Sequence, residues 1–313
     1  MKNNILDIKG ILVGQAEDQK GKTGVTVVIV PDGAVCGVDV RGAAPGTRET
    51  DLLDPVNSME KVNAVVLSGG SAFGLEASSG VMEYLEKKGW GFEVGCTVVP
   101  IVPQAVLFDL ACGDYRCRPD KKMAYTACEN ANNKILKEGS FGAGCGANVG
   151  KLCGTECWTK SGIGSYAETL ENGITVAALI AVNAFGDVLE NGKIIAGTMN
   201  VERTAFIDTE KTMLKMSSAP AFHGQNTTIG IIATNATLTK AQSKKVAGMA
   251  HDGLARAIHP VHTQLDGDTL FCLSTGEIQS EKPIVDLVGT LAARVTEQAV
   301  IRAVKKANES SLF

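Results

Sequence analysis

The sequence predicts an α/β fold, and two patterns carry that prediction. Short apolar runs rich in β-branched residues recur at 24–30, 34–40, 62–67, 175–182 and 227–233, each of strand length. Stretches with helical spacing of apolar residues lie at 72–88, 239–258 and 284–306. A chain of 313 residues, 44% of them hydrophobic, suffices for one large α/β domain or two small ones. Its 35 glycines imply many tight turns and close backbone approaches.

Taken in order, 24–30 and 34–40 are joined by Pro31-Asp32-Gly33, which predicts a hairpin. The loop 41–55 follows, carrying Arg48, Glu49, Asp51 and Asp54; it reads as a solvated loop or as the frame of a pocket. The strand at 62–67 runs into Ser68-Gly69-Gly70-Ser71 and then a helix over 72–88, stopped by Gly89. Strand, glycine-rich turn and helix form a site-building arrangement, because N–H groups at the helix start attract anions or oxyanions. Phe73 stands where a nucleophile elbow needs glycine, and no Gly-Lys-Ser/Thr follows this turn, so Ser71 reads as helix capping and pocket lining.

One or two strands are expected within 92–109 and a helix over 120–136 bearing Lys121, Lys122 and Lys134. The stretch 139–154 is dense in glycine and carries Lys151 among small apolar residues. A desolvated lysine there has a lowered pKa or holds a neighbouring hydroxyl or carbonyl; a surface lysine at a strand end is the plain alternative. Runs 162–169 and 175–182, split by Glu171-Asn172-Gly173, predict a second hairpin. After it, Asn183 is either an amide donor to a developing oxyanion or a turn-former before Gly186-Asp187. The polar stretch 191–222 reads as a connecting arm.

The stretch Gly224-Gln225-Asn226-Thr227-Thr228-Ile229-Gly230-Ile231-Ile232-Ala233-Thr234-Asn235 joins a polar turn to a buried strand, with Thr227 as the first strand residue. A threonine there is ordinary strand material. Held against the preceding carbonyl, its hydroxyl also has the geometry to attack that carbonyl and cut the chain between Asn226 and Thr227. The freed α-amine, with a typical pKa of about 8, would then be a base beside its own nucleophile. Beyond it, 239–258 is an amphipathic helix stopped by His259-Pro260, 268–273 a strand, and 284–306 a final helix. Asp266 and Asp268, at i and i+2, share a face if extended. Paired carboxylates call for a cation between them; Asp-Gly is equally a turn.

These motifs, with Gly144-Cys145-Gly146-Ala147-Asn148-Val149-Gly150-Lys151 and Asp266-Gly267-Asp268, resemble the self-cleaving P1 peptidase family. That family holds the D-aminopeptidase/esterase, β-peptidyl aminopeptidase and nylon-oligomer hydrolase enzymes, and the match runs from about Gly10 to the C-terminal helix. The resemblance implies an αββα-type layered sandwich of the self-processing N-terminal-nucleophile kind, assembled as a homo-oligomer. It implies one domain in two fragments, 1–226 and 227–313, which stay together because the smaller cannot bury its sheet face alone. It implies an aminopeptidase or amidase acting on small peptides, amides or esters with a free amine. Thr227 would be the nucleophile, Lys151 and Asn183 its support and oxyanion donor, and Asp266 and Asp268 the amine-binding pair. The Asp/Asp pair, where some members have Ser/Glu, and Asn-Thr at the break, where others have Gly-Ser or Asn-Ser, resemble the nylon-oligomer branch. A non-catalytic amine-binding protein of the same fold and an acyltransferase of the ornithine acetyltransferase type are the alternatives.

Composition narrows the partners. Net charge is −4 with no basic tract interleaved with aromatics, which argues against nucleic acid. Residues 1–9 are polar and no apolar stretch has membrane-spanning length, so neither a secretory leader nor a membrane partner is expected. Nine scattered cysteines, an odd number, fit free thiols in a reducing cytoplasm. Cys145, Cys153 and Cys157, Cys112 and Cys117, and His259 with His262 are the metal-like spacings. None forms a paired knuckle, and Pro260 breaks the helix between the two histidines, so no metal and no cofactor is expected.

Overall fold

The computed structural model describes residues 2–217 and 226–309. In chain order its principal elements are β1 (Leu12–Asp18), β2 (Thr23–Val40), β3 (Lys61–Ser68), α1 (Ala77–Lys88), β4 (Gln104–Val106) and α2 (Lys121–Glu129). They continue with β5 (Ile163–Thr169), β6 (Thr175–Asn183), β7 (Asp187–Glu190), β8 (Lys193–Ala196) and α3 (Thr209–Met213). The last are β9 (Thr227–Ala236), α4 (Lys240–Ala257), β10 (Thr269–Ile278) and α5 (Val285–Asn308).

Strand alternation divides the apolar side chains among three cores, and the three cores define four layers. On β6, Val176, Ala178, Ile180 and Val182 face α4 and α5, while Ala177, Leu179 and Ala181 face the opposite sheet. On β9, Ile232 faces the helices and Ile229, Ile231 and Ala233 face the sheet. On β2 and β3 the pattern is mirrored. Val28, Val30, Val65 and Leu67 enter the central core, and Val25, Val27, Ile29, Ala64 and Val66 pack on α1 and α2 with Ala77, Val81 and Leu85. A strand buried on both faces reads as a continuous apolar run, which is why these segments lack polar alternation. The order is helices, sheet, sheet, helices: the expected αββα sandwich.

One strand stitches the layers together. Among the described residues a nine-stranded ladder runs β5-β6-β9-β10-β2-β3-β4 and ends on the two-residue strand Thr47–Arg48, with β1 also paired to β2. The first half of β2 pairs with β1 and β3; its second half, from Val35 to Val40, pairs with β10. Behind that second half lies α4. At Gly37 an added Cβ would stand 2.2 Å from the Lys244 backbone nitrogen, so only glycine lets the helix lie this close.

Three expectations are corrected. Pro31-Asp32-Gly33 makes no hairpin; β2 passes through it with a register shift against β3 between Ile29 and Ala34, absorbed at Gly33 with φ +72°. The hairpin lies one step earlier, between β1 and β2. The helix expected over 120–136 stops at Glu129, because Asn132 Oδ1 accepts the Lys134 and Ile135 N–H groups and turns the chain; Lys134 lies outside it. The arm at 191–222 is tied down as far as α3. Buried Asp187 accepts the Thr198 and Thr209 N–H groups at 2.8 and 2.6 Å and the Thr209 hydroxyl at 2.6 Å. Its last part, 218–222, and the Gly224-Gln225 turn lie outside the described residues. The second hairpin, β5–β6, stands as expected, with Gly173 at φ +83°.

Candidate active site

Thr227 opens β9, the middle strand of its sheet layer, between β6 and β10. By period-two alternation it shares the inward face of Ile229 and Ile231. Its antiparallel partner across the ladder is Asn183, the last residue of β6. On the other side Asn226 bridges to Asp266 in parallel register. The Asn226 carbonyl oxygen accepts the Gly267 N–H at 3.0 Å and also the Thr227 hydroxyl. That carbonyl is therefore polarised by two donors, one of them the hydroxyl of the next residue. Gly267 must be glycine, since a Cβ there would stand 2.9 Å from Thr227 Oγ1 and 2.5 Å from the Ala44 carbonyl oxygen.

Lys151 and Asn183 form one unit. Lys151 is buried, and its Nζ donates to Asn183 Oδ1 at 2.7 Å and to the Asn183 carbonyl at 3.1 Å. Asn183 Oδ1 also accepts the Asn148 N–H, and its Nδ2 donates to the Phe108 carbonyl at 2.8 Å. Donors on one side and an acceptor on the other fix the orientation of the amide. Burial pushes the Lys151 ammonium down to about 8, opposed by the nearby Cys112, Asp266 and Asp109. The lysine is thus the desolvated one of the two expectations, with an Asn carbonyl in its grip.

The acids sit opposite. Asp266 Oδ1 accepts the Phe185 N–H at 3.3 Å; its Oδ2 accepts the Thr263 N–H and hydroxyl at 3.0 and 2.6 Å. Burial first, and then its neighbour Asp268, pushes the Asp266 carboxyl up to about 6. Asp268 Oδ1 accepts the Thr228 N–H at 2.7 Å, and its Oδ2 meets His262 Nδ1 at 2.7 Å. The two acids are neighbours as expected, but they lie on the approach to β10, which begins at Thr269. His259 and His262 diverge: His259 Nδ1 is 3.9 Å from Glu210, and His262 serves Asp268. His223 lies outside the described residues. Among the described residues no group of three or more His, Cys, Asp or Glu is placed to hold a metal.

Ser71 caps no helix. The helical turn Ser71–Glu76 is capped by Gly70, at φ +81°, with no side-chain bond. The Ser71 N–H donates to the Leu107 carbonyl at 3.0 Å, which seats the 68–71 turn beside Phe108, the residue that holds Asn183. Sequence reasoning passed over Asp109. It is buried, accepts the Gly70 N–H and the Thr23 hydroxyl at 2.7 Å each, and is pushed up to about 6 by burial. Its signal was a single acid inside the apolar run Ala105-Val106-Leu107-Phe108-Asp109-Leu110. His262 was weighed only as a metal ligand; its signal was a place four residues before Asp266.

Comparison with known proteins matches this arrangement to one group. The model of peptidase family S58 matches residues 3–312. An uncharacterized aminopeptidase of Mycobacterium leprae (strain TN) is 42% identical, over 96% of this chain and 90% of its own. A 6-aminohexanoate-oligomer endohydrolase of Kocuria sp. (strain KY2) is 29% identical, over 96% and 85%. In fold, the L-aminopeptidase D-Ala-esterase/amidase of Ochrobactrum anthropi superposes with a TM-score of 0.73 at 20% identity, over 97% of this chain and 86% of that one. A Burkholderia sp. β-aminopeptidase superposes at 0.71 and 19%, over 98% and 87%.

Proposed function

Because the chain belongs to peptidase family S58 and is a hydrolase of that family, we propose that it matures by cutting itself between Asn226 and Thr227 and then works through the freed Thr227. One observation carries this reading: the Asn226 carbonyl is held by the Gly267 N–H and touched by the Thr227 hydroxyl. In the first step Thr227 Oγ1 attacks the Asn226 carbonyl carbon. The C–N bond breaks, the hydroxyl proton passes to the departing nitrogen, and an ester joins Asn226 to Thr227. Water hydrolyses the ester to a carboxylate at Asn226 and restores the hydroxyl. No free amine exists before this cut. Lys151, brought down to about 8, is able to lose a proton near neutrality, and it is linked to Thr227 through Asn183.

In turnover the same oxygen attacks an amide or ester carbonyl with the new α-amine as base; the substrate's C–N or C–O bond breaks, the amine or alcohol leaves with the proton, and water hydrolyses the acyl-enzyme ester to the acid and the free hydroxyl. The Gly267 N–H, left behind by the departing segment, and Asn183 line the place where negative charge develops. Asp266 and Asp268, buried and neighbouring, receive the substrate's ammonium, and Ser71 lines the pocket. The substrate class is a small peptide or oligoamide with a free amine, in line with the 6-aminohexanoate-oligomer endohydrolase among its relatives. Fragments 1–226 and 227–313 stay associated because β9 lies between β6 and β10 within one sheet. All nine cysteines are free, which supports a reducing cytoplasm, and assembly as a homo-oligomer is checked by sedimentation.

Mass spectrometry of the purified protein is the test. Two fragments divided after Asn226 are expected. A single chain, unchanged on long incubation, overturns self-cleavage, and hydrolysis surviving in Thr227→Ala moves the nucleophile elsewhere. An assay offering an amine acceptor separates hydrolysis from acyl transfer, and calorimetry with an amine separates both from binding alone.

A further inference from the structure

Asp268 is fully buried, and a carboxylate taken out of water stays ionised only if its oxygens find donors. Oδ1 has the Thr228 N–H at 2.7 Å. Oδ2 has the His262 ring at 2.7 Å and, more weakly, the His262 N–H at 3.3 Å. An ionised carboxylate only accepts, so His262 Nδ1 carries the proton. The opposite ring nitrogen, Nε2, is buried and has no hydrogen-bond partner among the described residues. The ring is therefore seated through Nδ1 alone. His251 on α4 packs edge-on against it, with ring centroids 4.8 Å apart. His251 is itself neutral, pushed down to about 4 by burial, and its Nε2 lies 3.1 Å from the Asp39 carbonyl on β2. Asp39 is in turn paired with Arg41 at 2.8 Å. His262 sits at φ +56°, a left-handed conformation that a bulky residue rarely adopts, and this aims its ring back at Asp268.

The geometry points to His262 as a positioning residue: its ring N–H, backed by His251, holds the Asp268 carboxylate aimed for the substrate's ammonium. It touches neither substrate nor reacting atoms. This rests on the amine-binding reading of the Asp266/Asp268 pair. Removing the donor leaves Asp268 Oδ2 one weak partner, the His262 N–H at 3.3 Å, and frees the carboxylate to turn. Ammonium binding should fall while the chemical step is spared. The groups facing His262 are Asp268 just before β10, His251 from α4 and, through His251, Asp39 on β2; Asp266 is the neighbouring acid.

The experiment compares His262→Leu with His262→Asn, side chains of near-equal shape that differ in the donor. Asn also tolerates the left-handed backbone. His262→Phe, which keeps a flat ring, is a second donor-free variant if His262→Leu does not fold. KM and kcat are measured from pH 6 to 9 on the fastest-hydrolysed member of a panel of aminoacyl p-nitroanilides, with Asp268→Asn alongside. The donor-free variants are expected to raise KM by about tenfold or more, the weight of one hydrogen bond to a charge, with kcat within about threefold. His262→Asn should restore most of the affinity. A raised KM in Asp268→Asn with none in His262→Leu and His262→Phe overturns the His262 assignment and leaves the amine-binding pair standing. No change in any of them, or no hydrolysis by the unaltered protein, overturns the pair and His262 with it.

Discussion

The two sides of Thr227 meet the same problem with opposite chemistry. On one side a lysine is buried against acceptors, the Asn183 side chain and carbonyl. On the other an acid is buried against donors, the Thr263 N–H and hydroxyl and the Phe185 N–H. Burial disfavours both charges, pushing Lys151 down to about 8 and Asp266 up to about 6. Between those values both groups are charged and both weaken the fold. The proposed roles call for charge on each side near neutrality, the least comfortable pH for the site's own stability, as at many functional sites.

The largest effect expected is on activity. Lys151→Met should lower kcat/KM by about two to four orders of magnitude, the usual weight of a proton-transfer group. Lys151→Arg should rescue little, because guanidinium cannot give up its proton near neutrality. Steady-state assays of both variants check this. A Lys151→Met enzyme as active as the unaltered one would break the comparison, leaving the lysine a mere strut for Asn183.

The same substitution should stabilise the fold. A lysine whose folded pKa lies near 8, against an ordinary 10.5, weakens folding by roughly 3 kcal/mol while charged. That penalty is fully present below pH 8 and is relieved as pH rises from 8 toward 10.5, because the unfolded chain then holds more protons. Met removes it, and Asn183 Oδ1 keeps the Asn148 N–H as a donor. Urea unfolding at pH 7 and pH 10 should show Lys151→Met more stable by about 1–3 kcal/mol at the lower pH, with the gain shrinking at the higher. Asp266 has the opposite sign. Its raised folded pKa means stability falls as pH rises from about 4 to about 6 and stays low above. Asp266→Asn should flatten that decline between pH 4 and 6, read by thermal unfolding across the window. A decline of unchanged depth would assign it to Asp109, which is pushed up to a similar value.

This asymmetry also explains what could be read in advance. Thr227, Asn183, Lys151, Asp266 and Asp268 could be singled out because each breaks a pattern, a polar residue at the end of an apolar strand or a charge among glycines, while the roles proposed for them came from the resemblance. The apolar runs gave the strands and the resemblance the layers; β6, β9 and β10 lack polar alternation because both their faces are buried. What stayed hidden depends on partners distant in sequence. Pro31-Asp32-Gly33 has every local mark of a turn, yet β3 on one edge and β10 beyond hold β2 extended through it. His262 becomes meaningful only when α4 brings His251 against it. Asp109 matters because β2 delivers Thr23 and the 68–71 turn delivers Gly70.

The smallest effect sharpens the contrast between groups held by the fold and groups merely near the site. Ser71 stands at the mouth of a glycine-rich turn, where sequence alone gave it a cap and a place in the pocket. Its backbone is fixed by the Leu107 carbonyl, at a left-handed φ of +53°, but its hydroxyl caps nothing. Ser71→Ala keeps the Cβ and removes only that oxygen. Stability should change by less than about 0.5 kcal/mol, the ordinary range for a change with no lost partner. If the hydroxyl only lines the pocket, KM should move by no more than about threefold with kcat unchanged, since a substrate contact equal in ground and transition states alters binding alone. A large fall in kcat would instead put Ser71 among the groups that meet developing charge, and the site would then have three working sides rather than two.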